Sequence, residues 1–118
     1  MSWIRSLFGG GMQSLEPPEA QARLQSEPAP LLLDVRMPDE FRGGHIAGAR
    51  LIPLPELEQR LSELPRDREI LCVCAGGMRS SSAVRLLLKS GYRAVNLSGG
   101  MSAWSRAGLP VQKATRGA

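Results

Sequence analysis

Ile70-Leu71-Cys72-Val73-Cys74-Ala75-Gly76-Gly77-Met78-Arg79-Ser80 is the stretch that organises this chain. An apolar run of strand length over Glu69 to Val73 ends in the thiol of Cys74. Two glycines follow, and then a helix is predicted from Arg79 to Ser90, with Ala83, Val84, Leu86, Leu87 and Leu88 as a broad apolar face and Gly91 as its stop. A strand that hands a cysteine to a tight glycine loop with a helix directly behind it places the sulfur where backbone N–H groups converge. Such a place favours an anion. A thiol held there titrates below the free value of about 8.5, so the nucleophilic thiolate is populated near neutral pH.

The same alternation extends outward on both sides. Upstream, Leu31-Leu32-Leu33-Asp34-Val35 is a second continuous apolar run, the pattern of a strand buried on both faces in a parallel sheet. Before it, Pro17-Pro18-Glu19 with Ala20, Ala22 and Leu24 predicts a helix that ends near Ser26 and the breakers Pro28 and Pro30. After it come a short helix over Met37 to Arg42, stopped by Gly43-Gly44, and a brief strand over Ala49 to Pro53. Pro55 to Leu64 carries Leu57, Leu61 and Leu64 on one face and predicts a second full helix closed by Pro65. Downstream, Ala94 to Leu97 predicts a last strand, Gly99-Gly100 a turn, and Met101 to Arg106 a last short helix. Strands and helices alternating at this pitch define an α/β domain with helices flanking a mainly parallel central sheet, whose ligands sit beyond the carboxyl ends of the strands. Cys74 falls at such an end.

A chain of 118 residues makes one domain with room for a hydrophobic core. The apolar share of 42% and charged share of 22% exclude a disordered or membrane-embedded class. The net charge is +4, but the 15 basic residues are scattered and the aromatics number five, so no nucleic-acid partner is expected. The same balance draws small anions to a cleft. Cys72 and Cys74 lie too close together to bridge without contorting the backbone, which predicts free thiols and a reducing, cytoplasmic setting.

Three parts are expected along the chain: an apolar leader with a glycine hinge over residues 1–12, the domain over 13–112, and a tail over 113–118. The leader places Trp3, Ile4, Leu7 and Phe8 at helical spacing ahead of Gly9-Gly10-Gly11. It is too short for a membrane span, which leaves a loosely held leader or a weak membrane-surface or partner-docking helix over residues 1–8.

Taken together, these segments resemble the rhodanese-like sulfurtransferases from about Ser14 to Val111. The resemblance rests on Leu32-Leu33-Asp34-Val35-Arg36, Glu40-Phe41, Gly44-His45-Ile46-Ala47-Gly48-Ala49 and Ile52-Pro53-Leu54. It rests equally on the Cys74–Ser80 loop and on Gly91-Tyr92, Leu97, Gly99-Gly100 and Ala103-Trp104. It implies that Cys74 attacks the outer sulfur of thiosulfate or a similar anionic donor and carries a persulfide. The persulfide is cradled by the loop Ala75, Gly76, Gly77, Met78, Arg79 and Ser80 until cyanide, a small thiol or a protein cysteine takes the sulfur. No metal or cofactor is implied, since two cysteines and one histidine make no ligand set at usual spacings.

Individual residues carry narrower expectations. Gly76 and Gly77 let the loop amides turn inward. Arg79 either adds positive charge for the incoming anion or ties the loop to a carboxylate. Met78 either lines the pocket or faces solvent. Asp34, Arg36 and Glu40 read as an ion-paired brace supporting the loop. His45, the sole histidine, reads as satisfying nearby backbone groups rather than acting as a base. Cys72 reads as a small buried hydrophobe, and Trp104 and Tyr92 as core or rim. Only four residues separate Cys74 from Arg79, one fewer than in the cysteine-dependent phosphatases, so the shorter loop favours sulfur over phosphoryl transfer. Two functions remain: a sulfurtransferase acting on small molecules, and a protein-to-protein persulfide relay or interaction module with incidental small-molecule turnover.

Overall fold

The computed structural model describes residues 12–113. The leader expected over residues 1–12 lies outside them apart from Met12, and the tail expected over 113–118 apart from Lys113. Met12 is half-buried and packs on the core.

Five strands form one sheet: β1 (Ser14–Leu15), β2 (Leu31–Asp34), β3 (Arg50–Leu51), β4 (Glu69–Val73) and β5 (Arg93–Leu97). Their spatial order is β1-β5-β4-β2-β3, and every pairing in the sheet is parallel. Among the described residues five α-helices connect and cover them: α1 (Pro17–Leu24), α2 (Pro38–Arg42), α3 (Leu54–Leu57), α4 (Met78–Lys89) and α5 (Gly100–Arg106).

The continuous apolar runs of β2 and β4 follow from burial on both faces. Alternate residues point to opposite sides of a strand. Leu33, Ile70 and Cys72 therefore pack with Leu57 of α3 and with Ala83, Val84 and Leu87 of α4. Leu32, Leu71 and Val73 pack with Ala20 of α1 and with Met101 and Trp104 of α5. Leu33, Ile70, Leu71 and Leu97 are fully buried, and each such side chain stabilises the fold by about 1.5–3 kcal/mol relative to exposure.

One expectation is corrected and one strand is added. The single full helix over Pro55 to Leu64 is instead the one-turn α3 followed by a 3-10 segment, Glu58–Glu63, with Arg60 at φ −118°, ψ 16° breaking the helical path. Distant side chains capture the carbonyls there: the Tyr92 hydroxyl donates to Leu61 O at 2.6 Å and Arg50 Nη1 to Glu63 O at 3.1 Å. Leu57 and Leu64 still reach the core. The strand β1, which the pattern of residues does not announce, forms because Asn96 N–H donates to Gln13 O and Ser98 N–H to Leu15 O, at 2.9 and 2.8 Å.

The chain leaves β2 toward β3 on one side and leaves β4 toward β5 on the other. The carboxyl ends of these two neighbouring strands therefore open a crevice at the point where the topology switches direction.

Candidate active site

Cys74 directly follows β4 at that crevice, and the loop from Cys74 to Gly77 returns the chain into α4. Gly77 takes φ +106°, a left-handed conformation that side chains rarely adopt. In that conformation its N–H donates to Cys74 Sγ at 3.1 Å, and the Ser80 hydroxyl donates to the same sulfur at 3.3 Å. The cysteine is 1% exposed. Burial pushes the thiol up, but the Ser80 hydroxyl and the N–H groups of Ser80, Gly77 and Gly76 outweigh it and hold the thiol below its ordinary range. The cradle thus favours a thiolate.

The back of the loop is held by α5. Met101 N–H donates to Cys74 O at 2.8 Å and Ser102 N–H to Ala75 O at 3.0 Å, so these loop carbonyls are engaged by the start of that helix. Gly100, at φ +59°, allows this approach: a Cβ there would lie 2.3 Å from Cys74 O. Residue-by-residue reading missed the role of Met101 and Ser102, for which the Gly99-Gly100 doublet is the one signal in the chain.

Arg79 meets Glu40 through two parallel hydrogen bonds, each 2.8 Å. Of the two roles open to Arg79 in the sequence, the geometry contains the tie to a carboxylate. That arginine, together with the Met37 N–H, holds the Glu40 carboxyl down at about 2 against the opposing effect of burial. Deeper in, Asp34 accepts from Arg36 Nε at 2.9 Å and Nη2 at 2.7 Å, and from the Arg36 N–H at 3.0 Å. Arg36 also donates to Gly44 O at 2.8 Å and to Glu40 O at 3.3 Å. Asp34, Arg36, Glu40 and Arg79 therefore form one chain of contacts from the end of β2 through α2 to the start of α4.

His45 is buried, stacks on Phe41 with ring centroids 3.8 Å apart, and places Nδ1 2.8 Å from Phe41 O. Its Nε2 faces Gln112, so neither ring nitrogen is spent on the sulfur. Cys72 is wholly buried one strand repeat behind Cys74, and burial, with the neighbouring Cys74 charge, pushes its thiol far up. Both cysteines are free. Met78 is 82% exposed and lies, with Gly76, Arg85, Asn96 and Ser98, along an open groove of about 440 Å³ beside the loop. Among the described residues no helix is long and apolar enough to cross a membrane.

A cysteine in an amide-lined loop, at the switch point of a parallel α/β sheet, defines a class of small thiolate-bearing domains. Residues 16–107 match the family model of the rhodanese-like domain, and the chain belongs to that family. It is 43% identical over 82 residues to a sulfurtransferase of Allochromatium vinosum, covering 69% of this chain and 77% of the relative. A rhodanese-related protein of Thermoplasma volcanium superposes with a TM-score of 0.80 at 34% identity, over 85% of this chain and 97% of that one. A thiosulfate sulfurtransferase of Pseudomonas aeruginosa gives a TM-score of 0.81 at 28% identity, over 95% of this chain but 22% of that longer one. The family match and the name of the first relative support sulfur transfer as the general chemistry of the chain.

Proposed function

We propose that this protein moves sulfane sulfur from thiosulfate or a similar anionic donor to a thiophilic acceptor through a persulfide on Cys74. The observation that carries this reading is the convergence of the Gly77 N–H and the Ser80 hydroxyl on Cys74 Sγ. In the first step the thiolate forms a bond to the outer sulfur of thiosulfate. The sulfur–sulfur bond of the donor breaks, and sulfite leaves with its electron pair. The terminal sulfur of the persulfide then carries the negative charge, which the cradle that favoured the thiolate also suits. In the second step cyanide or a thiolate attacks that sulfur, and Cys74 leaves as a thiolate again. No external base is needed, which fits a His45 engaged elsewhere. Two free cysteines suit a reducing compartment such as the cytoplasm.

A second reading, a persulfide relay between proteins, draws on one observation. Met37, whose N–H meets Glu40, and Met78, the chain neighbour of Arg79, are 47% and 82% exposed, and exposed methionines suit an adaptable protein surface. Turnover with thiosulfate and cyanide, compared with transfer to a protein thiol, separates the two. Treatment with thiosulfate is expected to add one sulfur to the Cys74 peptide by mass spectrometry, and Cys74→Ser is expected to abolish both loading and turnover. Transfer that survives in Cys74→Ser would remove the proposed nucleophile.

A further inference from the structure

Gly77 is the residue whose N–H reaches the sulfur, and it is gripped from the side away from Cys74. Its carbonyl accepts from the Ser81 hydroxyl at 2.7 Å as well as from the Ser81 N–H at 3.1 Å. The Ser81 hydroxyl in turn accepts from Asn96 Nδ2 at 3.2 Å. A Cβ on Gly77 would lie 3.4 Å from Gly99 N and 4.0 Å from Asn96 Nδ2, so the glycine is enclosed by β5 and the turn that follows it. We propose that Ser81 and Asn96 are positioning residues for Cys74, holding Gly77 in the left-handed conformation that aims its N–H at the sulfur.

Neither residue is explained by the element that carries it. Asn96 sits in β5 between the buried Val95 and Leu97, is itself buried, and leaves its Oδ1 without a hydrogen-bond partner. A strand ladder needs only backbone groups, and an apolar side chain at this position would leave no orphaned oxygen. The one bond recorded for the Asn96 side chain is the one to Ser81. Ser81 stands in the first turn and a half of α4, where alanine is the better helix former and a serine hydroxyl competes for backbone carbonyls. Both residues act against their local structure, and their hydrogen bonds run in series from Asn96 through Ser81 to the Gly77 carbonyl. The amide thereby steadies the hydroxyl's hold on the carbonyl.

This inference rests on Cys74 being the nucleophile, but its test reads the thiolate directly and needs no sulfur donor or acceptor. The rate of Cys74 alkylation by iodoacetamide is followed against pH in the full chain and in Ser81→Ala, Ser81→Thr and Asn96→Leu, with thermal melting alongside. Ser81→Ala and Asn96→Leu are expected to move the midpoint of the rate–pH curve up by about half a pH unit, so that the rate below the midpoint falls about threefold. Ser81→Thr keeps the hydroxyl and is expected to keep the parental midpoint. Ser81→Ala is expected to melt no lower than the parent, which separates positioning from a purely structural role. Should Asn96→Leu fail to fold, the Ser81 pair alone decides. Coincident midpoints for Ser81→Ala, Ser81→Thr and the parent would overturn the proposal.

Discussion

The Arg79 guanidinium and the Glu40 carboxylate face each other as two forks, Nη1 to Oε1 and Nη2 to Oε2, both at 2.8 Å. Glu40 Oε1 also accepts the Met37 N–H at 2.9 Å, so a single carboxylate joins the start of α2 to the start of α4. The crevice that holds Cys74 lies between the strands that feed those two helices.

Removing this tie changes the acid limb of stability. The Glu40 carboxyl sits at about 2 against an ordinary 4.5, so the folded form holds the charged group more firmly than the unfolded chain does. The contribution is complete above pH 4.5 and is lost as pH falls through about 2. Both partners are more than a third exposed, which limits the pair to less than about 1 kcal/mol. Glu40→Gln is expected to flatten denaturant-derived stability against pH within that window and leave it parallel to the parent above it. A slope unchanged between pH 4.5 and 2 would show the pair to be inert.

Gly100→Ala is expected to damage the site by pressing on the back of its loop. The new methyl would stand 2.3 Å from Cys74 O and 2.6 Å from Ala75 O, both backbone atoms that cannot rotate away, at a φ of +59°. We expect a loss of at least about 2 kcal/mol of stability, together with slower Cys74 alkylation near neutral pH as the loop is pushed off α5. A variant as stable and as reactive as the parent would mean that the Met101 and Ser102 contacts do not set the loop.

Cys72 is expected to behave as packing. Burial and the Cys74 charge push its thiol up, so it stays protonated across the working range and is neither alkylated nor loaded in the folded state. Cys72→Ala is expected to cost about 1–2 kcal/mol for the removed sulfur, with persulfide loading still found on the Cys74 peptide. Sulfur recovered on Cys72 alone in the parent would reverse the two assignments.

The α/β class was readable from β2 and β4 because a parallel strand covered on both faces is apolar along nearly its whole length, here all but Asp34 and Glu69 at the strand ends. The runs around Leu33 and Leu71 meet that condition. The helices α1 and α4 announced themselves through capping prolines, glycine stops and periodic apolar faces. The first strand did not: Ser14 and Leu15 have no pattern of their own and become a strand only by pairing with Asn96 and Leu97. The break after α3 was equally hidden: it falls at the non-helical Arg60, and the carbonyls of Leu61 and Glu63 beyond it are taken by Tyr92 and Arg50 from distant segments.

The candidate site divides along the same line. Cys74, its two glycines and the following serines stand consecutively in the chain, and a thiol, a turn and a helix start are local properties of those residues. The groups that face the sulfur belong to that same loop; what lies beyond the reach of local order is what holds them there. The match of Arg79 with Glu40 spans 39 positions. The engagement of the loop carbonyls by α5 depends on Gly100 reaching Cys74 O, and the grip on Gly77 depends on Asn96 from another strand. Residue types along the chain determined where the thiol is and what flanks it. Tertiary structure decided how the loop is braced, because the Gly77 N–H and Ser80 hydroxyl on the sulfur are local, whereas the bonds from Met101, Ser102 and Asn96 come from distant segments.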